Sequence, residues 1–156
     1  MLPLDDPRWL ELTSPSGELN DPRPLLIMLD ETMDHYDFWS LAWDLYRDGR
    51  LGTASYAIFP HLVPMAREGD LNPDFFSYGA KLCSFAGEGD NPAVPDFLEP
   101  EFTNSIQKTF ELAMVLMRKR ISPTMMLGIF EFCAAHKGML KLSEHLEKLI
   151  VEDIGS

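Results

Sequence analysis

Residues 36–65 constrain the fold of this chain more than any other stretch, because they carry a helical period on both sides of a glycine-bracketed break. With Asp34 as an N-cap, Phe38, Trp39, Ala42, Trp43, Leu45 and Tyr46 share one side of a 3.6-residue helix, and Asp34, Asp37, Asp44 and Asp48 share the other. Gly49 and Gly52 bracket Arg50 and Leu51 and suit a helix stop followed by a tight turn, since glycine takes positive φ without steric cost. Thr53 then stands where a side-chain cap is wanted. From Ala54 the composition is helical again, but Pro60 and Pro64 each lack an amide proton, which predicts a kink with freed carbonyls near Tyr56 and Pro60. His61 follows the first proline and is expected to bond one of those carbonyls. Trp39, Trp43, Tyr46 and Tyr56 are expected to pack between the two helices, with a tryptophan at the rim suited to anchor an interface.

A tryptophan-rich helix, a short glycine-containing turn and a helix reading Ala54, Ser55, Tyr56, Ala57, then Pro60, His61, Leu62, Val63 resemble the HEAT-like helical proteins of bacteria. Some of those are similar to toxin-neutralising immunity proteins. The resemblance spans about a fifth of the chain and implies stacked antiparallel helical hairpins. No second copy of the motif recurs at a regular period, so an irregular bundle with one HEAT-like hairpin stays open beside a solenoid.

The flanking sequence extends the all-α reading. Pro3, Pro7, Pro15, Gly17 and Pro22 make residues 1–22 an irregular arm, with a short helical turn near Trp9 to Leu12 and Trp9 as its anchor. Asp21 can cap a helix from Pro22 whose apolar side is Leu25, Leu26, Met28 and Leu29. Asn72 and Pro73 open a helix through Phe75, Phe76, Tyr78, Leu82 and Phe85, closed by residues 87–91. Over 101–120, Phe102, Ile106, Phe110, Ala113, Met114 and Met117 repeat at helical spacing, marking the most buried helix, with Arg118, Lys119 and Arg120 at its C-terminal end. Ser122 and Pro123 start the next helix, through Met126, Leu127, Phe130 and Cys133. After Gly138 a last helix carries the stripe Leu142, Leu146, Leu149 and Ile150. No segment shows the sustained alternation of a half-buried strand. The expectation is one all-α domain over residues 1–156, with six or seven helices.

Charge sorts the function classes. The chain has 156 residues and a net charge of −12; residues 1–78 hold 14 acids against 5 Lys/Arg, and residues 79–156 hold 11 against 8. Such a surface repels phosphate backbones and anionic lipid and attracts basic partners. Nucleic acid and membrane are therefore not expected as partners, although acidity can also serve solubility alone. No apolar run reaches the roughly 18 residues of a membrane span, and the opening residues lack a basic-then-apolar leader. The expected setting is soluble and cytoplasmic. Cys83 and Cys133 form no Cys-x-x-Cys pair and read as reduced, buried thiols.

Chemistry is sparse. His35, His61, His136 and His145 show no zinc-ligand spacing, and His35 beside Asp34 and Asp37 reads as a solvated helix start. There is no nucleophile elbow, phosphate loop or dinucleotide fingerprint. Met114, Met117, Met125 and Met126 read as core filler. No catalytic residue, cofactor or metal is assigned. The leading expectation is a non-enzymatic protein-binding module, of the immunity-protein kind, that holds a basic protein through Asp30, Glu31, Asp34, Asp37, Asp44 and Asp48. Two alternatives remain: a helical scaffold that takes a peptide or protein in an apolar groove, and a small hydrolase or metal-dependent enzyme.

Overall fold

The computed structural model describes residues 1–32, 35–68 and 73–154, with the backbone alone for 32, 35–37, 39, 43, 67–68, 73 and 150–154. Among the described residues there are seven α-helices: α1 (Arg23–Thr32), α2 (His35–Leu45), α3 (Thr53–Glu68), α4 (Pro73–Phe85), α5 (Glu99–Leu116), α6 (Pro123–His136) and α7 (Leu140–Ile154). The all-α class expected from periodicity is the class observed. Helix α1 packs on α2, α3 on α4 and α5, α4 on α6, and α6 on α7. None of these helices is long and apolar enough to cross a membrane.

The break between α2 and α3 differs from the expected glycine turn. Tyr46 and Arg47 form a strand β1 (Tyr46–Arg47) that pairs antiparallel with β2 (Arg50–Leu51), Tyr46 opposite Leu51 and Arg47 opposite Arg50. Asp48 and Gly49 join them with φ of 52° and 80°. Two successive left-handed residues make the mirror-image turn whose twist matches a hairpin, and Asp-Gly is one of the pairs that favours it. That signal lay in the sequence and outweighed the helix-stop reading of Gly49. Asp48 consequently sits in a turn and leaves the acidic side of α2, and Tyr46 packs on Phe85 of α4, ring centroids 5.9 Å apart, instead of between α2 and α3.

Helix α3 runs unbroken through Pro60 and Pro64 and is the central element, correcting the expectation that α5 is the most buried. Every residue from Ala54 to Phe59 is buried, as are Leu62 and Val63. Burial on all sides follows from having α4 and α5 against it and the N-terminal arm along it. The arm is docked by three side chains: a 3₁₀ turn (Pro7–Glu11) buries Trp9 completely, and Leu2 and Leu12 are buried too. Trp9 Nε1 donates to the Pro3 carbonyl at 2.7 Å, which closes the arm on itself around the anchor the sequence predicts.

Thr53 is the first residue of α3 and its cap comes from the arm. The Thr53 amide donates to Thr13 Oγ1 (3.2 Å), the Ala54 amide to the Thr13 carbonyl (3.1 Å), and the Thr13 amide to Thr53 Oγ1 (2.9 Å). The first two bonds satisfy amides that a helix start leaves orphaned. Gly52 permits the approach: a Cβ there would lie 2.0 Å from the Thr13 carbonyl oxygen.

Helix α1 begins at Arg23 with Asp21 accepting from the Arg23 amide, and its apolar side includes Leu26 and Leu29, while Met28 faces outward. Helix α5 ends at Leu116, so Arg118, Lys119 and Arg120 lie in the exposed turn beyond it. Ser122 caps α6 as expected, its Oγ accepting from the Met125 amide at 3.2 Å. The buried residues of α6, however, are Gly128, Ile129, Glu131, Phe132, Ala134 and Ala135. Met126 and Phe130 of α6, Met117 beyond α5, and Leu142 and Leu149 of α7 are exposed, against the stripes and core-filling methionines read from spacing.

Candidate functional site

The predicted acidic residues whose side chains the structure describes fall in two places. Asp30 and Glu31 are exposed in the last turn of α1; Asp44 is exposed near the end of α2, and Asp48 is exposed in the hairpin turn between Arg47 and Arg50. Asp37 lies on α2 with its side chain outside the described residues, as are the side chains of His35, Trp39 and Trp43; Asp34 lies outside the described residues altogether. Nine residues separate His35 from Asp44, about 14 Å along the helix axis. The acids thus border the α1–α2 pair from its connecting end to its far end, and do not converge on one point.

The hairpin end is tied to the loop after α4. Asn91 Oδ1 accepts from the Leu51 amide at 2.8 Å and its Nδ2 donates to the Gly49 carbonyl at 3.0 Å. Tyr56 reaches the same loop, its hydroxyl donating to the Pro92 carbonyl at 2.7 Å; burial raises that hydroxyl's pKa to about 12, so it stays a donor. Exposed Glu88 and Asp90 therefore stand close to the Asp48 turn.

A charge cluster absent from the sequence reading joins α4, α6 and α7. Glu131, 1% exposed, accepts from Ser77 Oγ at 2.6 Å and from Lys81 Nζ at 3.3 Å. Lys81 also pairs with Glu147 of α7 and lies 5.8 Å from the Tyr46 ring centroid. Ser143 of α7 donates to the Glu131 carbonyl at 3.3 Å. Burial raises the Glu131 carboxyl, and Lys81 only partly offsets it. For Lys81 burial works downward, but the carboxylates of Glu131 and Glu147 outweigh it and keep the ammonium charged. The cleft over this cluster, lined by Lys81, Phe85, Glu131, Leu140 and Glu144 among others, measures about 50 Å³. That is room for a water or two and not for a substrate. Glu131 is the single Asp, Glu, Lys or Arg of α6, a lone acid in an apolar helix, which is the signal that could have found it.

His61 corrects another expectation. Its Nε2 bonds the Leu2 carbonyl of the arm at 3.0 Å, not a carbonyl of its own helix, and its ring meets Trp9 at 5.6 Å. Burial lowers its pKa; the Leu2 carbonyl and Asp30 pull the other way. His136 packs on Phe110 and Phe132, and burial lowers it also. Cys83 and Cys133 are free and half-buried, with the Cys83 thiol pushed up to about 12 by burial. Among the described residues no three of His, Cys, Asp and Glu converge in a way that could hold a metal ion.

Compared with known proteins, the chain matches no family model, no curated protein and no solved structure.

Proposed function

We propose that this chain is a non-enzymatic protein-binding module that holds a basic partner against the α1–α2 side, in the manner of the immunity proteins that the sequence of residues 36–65 resembles. The observation that carries the reading is the exposure of Asp30, Glu31 and Asp44 along one packed helix pair in a chain of net charge −12. Exposed carboxylates steer a basic protein into encounter and hold its lysines or arginines on arrival. Asp48 takes a smaller part, because Arg47 and Arg50 on either side offset its charge. Occlusion of the partner's own site would then neutralise it without any reaction on this chain.

The test is a pull-down from native lysate with the intact chain as bait, washed at low and at high salt, repeated with Asp30→Lys, Glu31→Lys and Asp44→Lys combined. A basic protein retained at low salt, released at high salt and lost with the triple reversal supports the reading. A partner that survives both salt and reversal overturns it.

A further inference from the structure

Helix α7 is seated more thinly than the helices beneath it. Among its described side chains Ser143 alone is buried, whereas α4 buries Phe75, Phe76, Tyr78 and Leu82. None of those described side chains of α7 belongs to the hydrophobic core. Its seat is polar instead: Ser143 Oγ donates to the Glu131 carbonyl at 3.3 Å, and Glu147 pairs with Lys81 of α4. The link from α6 runs through Lys137, Gly138 and Met139, all exposed. Gly138 takes a φ of 71°, with nothing within 4 Å of the place a Cβ would occupy. A left-handed glycine in an uncrowded link lets a helix swing as a unit, because the change in backbone angle displaces no packed side chain.

Under α7 the charges do not balance. The ammonium of Lys81 faces the buried carboxylate of Glu131 at 3.3 Å and the carboxylate of Glu147, with Glu144 at the lip of the same cleft. From α4, Ser77 also faces Glu131, and buried Asp74 lies one turn before Ser77; the Tyr46 ring lies beside Lys81. On α6 itself His136 turns to Phe110 and Phe132, and Lys108 and Glu111 of α5, which also packs on α6, are exposed. Two carboxylates thus compete for one cation, and the share that Glu131 takes is lost to Glu147, the anchor of α7. A proton on Glu131 ends the competition. The Ser77 contact at 2.6 Å serves either form, since a hydroxyl donates to a carboxylate and accepts from a carboxylic acid. Burial beneath α7 favours the protonated form, raising this carboxyl above its ordinary value, and lifting α7 would admit water to the ionised one.

We propose that α7 is a proton-controlled strap: it closes on α4 and α6 when Glu131 is protonated and Lys81 is committed to Glu147, and it swings away about Gly138 when Glu131 is ionised. The other helices stay folded as it lifts, because their core takes no described side chain from α7. The device is independent of the acidic α1–α2 side, so either can fail without the other.

Native-state hydrogen exchange of the intact chain tests this, read as protection relative to the free-peptide rate at each pH so that the chemistry of exchange cancels. The amides of residues 144–149 should share one protection value, about tenfold or more below that of the amides in the middle of α3. From about pH 5 to about pH 8 that value should fall by about tenfold or more. Glu131→Gln, neutral at every pH, should keep α7 closed and erase the fall. Glu147→Gln should lower α7 protection already at about pH 5. The α3 amides show in each variant that the rest of the chain is folded. Protection of α7 equal to that of α3, a gradient toward the C-terminus in place of one value, or no fall with pH in the unsubstituted chain overturns the proposal. So does a fall that survives Glu131→Gln.

Discussion

Two segments lie against the central helices in opposite ways. The N-terminal arm is held on α3 by neutral hydrogen bonds, through Thr13 with Thr53 and His61 with Leu2, around the buried ring of Trp9. Helix α7 is held against α4 and α6 partly by ions, with Lys81 between Glu131 and Glu147. Neutral backbone bonds require close approach and tolerate no added atom. A buried ion pair that loses one partner leaves the other charge uncompensated. The two seats should therefore break under different insults.

The largest effect is expected at Gly52. Alanine there drives its Cβ into the Thr13 carbonyl, a backbone atom, so the arm must lift; the cost should reach about 4 kcal/mol or more in urea unfolding. A loss under about 0.5 kcal/mol would show that the arm is not seated as described. Next is Lys81→Met, which strands Glu131 and should cost about 3–5 kcal/mol, with Lys81→Met/Glu131→Leu recovering most of it. If Lys81→Met alone is neutral, α7 is not held by charge.

Acid separates the seats by sign. Burial holds His61 below its ordinary 6.5, so the arm's contribution is complete above that pH and is lost as pH falls through the lowered value. Glu131 is raised above 4.5, so its contribution is complete below 4.5 and is lost as pH rises through the raised value. Below pH 6.5, His61→Gln should flatten the fall of Tm on acidification; above pH 4.5, Glu131→Gln should remove the loss of Tm that Glu131 causes as pH rises. Unchanged slopes in both would remove these two groups from the pH response. The smallest effect is Glu147→Gln. Its side chain is 45% exposed, so solvent screening limits the loss to about 1 kcal/mol, and the difference should vanish in 1 M salt.

Local chemistry in this chain was readable and relations between distant segments were not. Trp9 as anchor, Ser122 as cap, the Asp21 helix start and the seven helices follow from spacing and side-chain type. The hairpin at Asp48 and Gly49 was equally local, but the helical pattern of Phe38 to Tyr46 concealed it. Which face of each helix is covered depends on neighbours, so Phe130, Leu142 and Leu149 look like core in one dimension and stand in solvent in three. Glu131 needed Ser77 and Lys81, some 50 residues earlier, before its burial made sense. The acidic residues could be named from composition, but their spread along the α1–α2 pair is a property of the packing.

The Thr13 cap lies 40 residues ahead of the helix it closes. During synthesis the arm leaves the ribosome first and has nothing to bind until residues 53–61 follow, so its docking must come after α3 has begun to form. Loop closure over that distance is slow to reward, which places the arm among the late steps of folding and the early steps of opening. The Ala54 amide, bonded to the arm and not to its own helix, should then exchange with deuterium sooner than the amides in the middle of α3. The exchange rate at Ala54 would then report how often the first turn of the central helix stands uncapped.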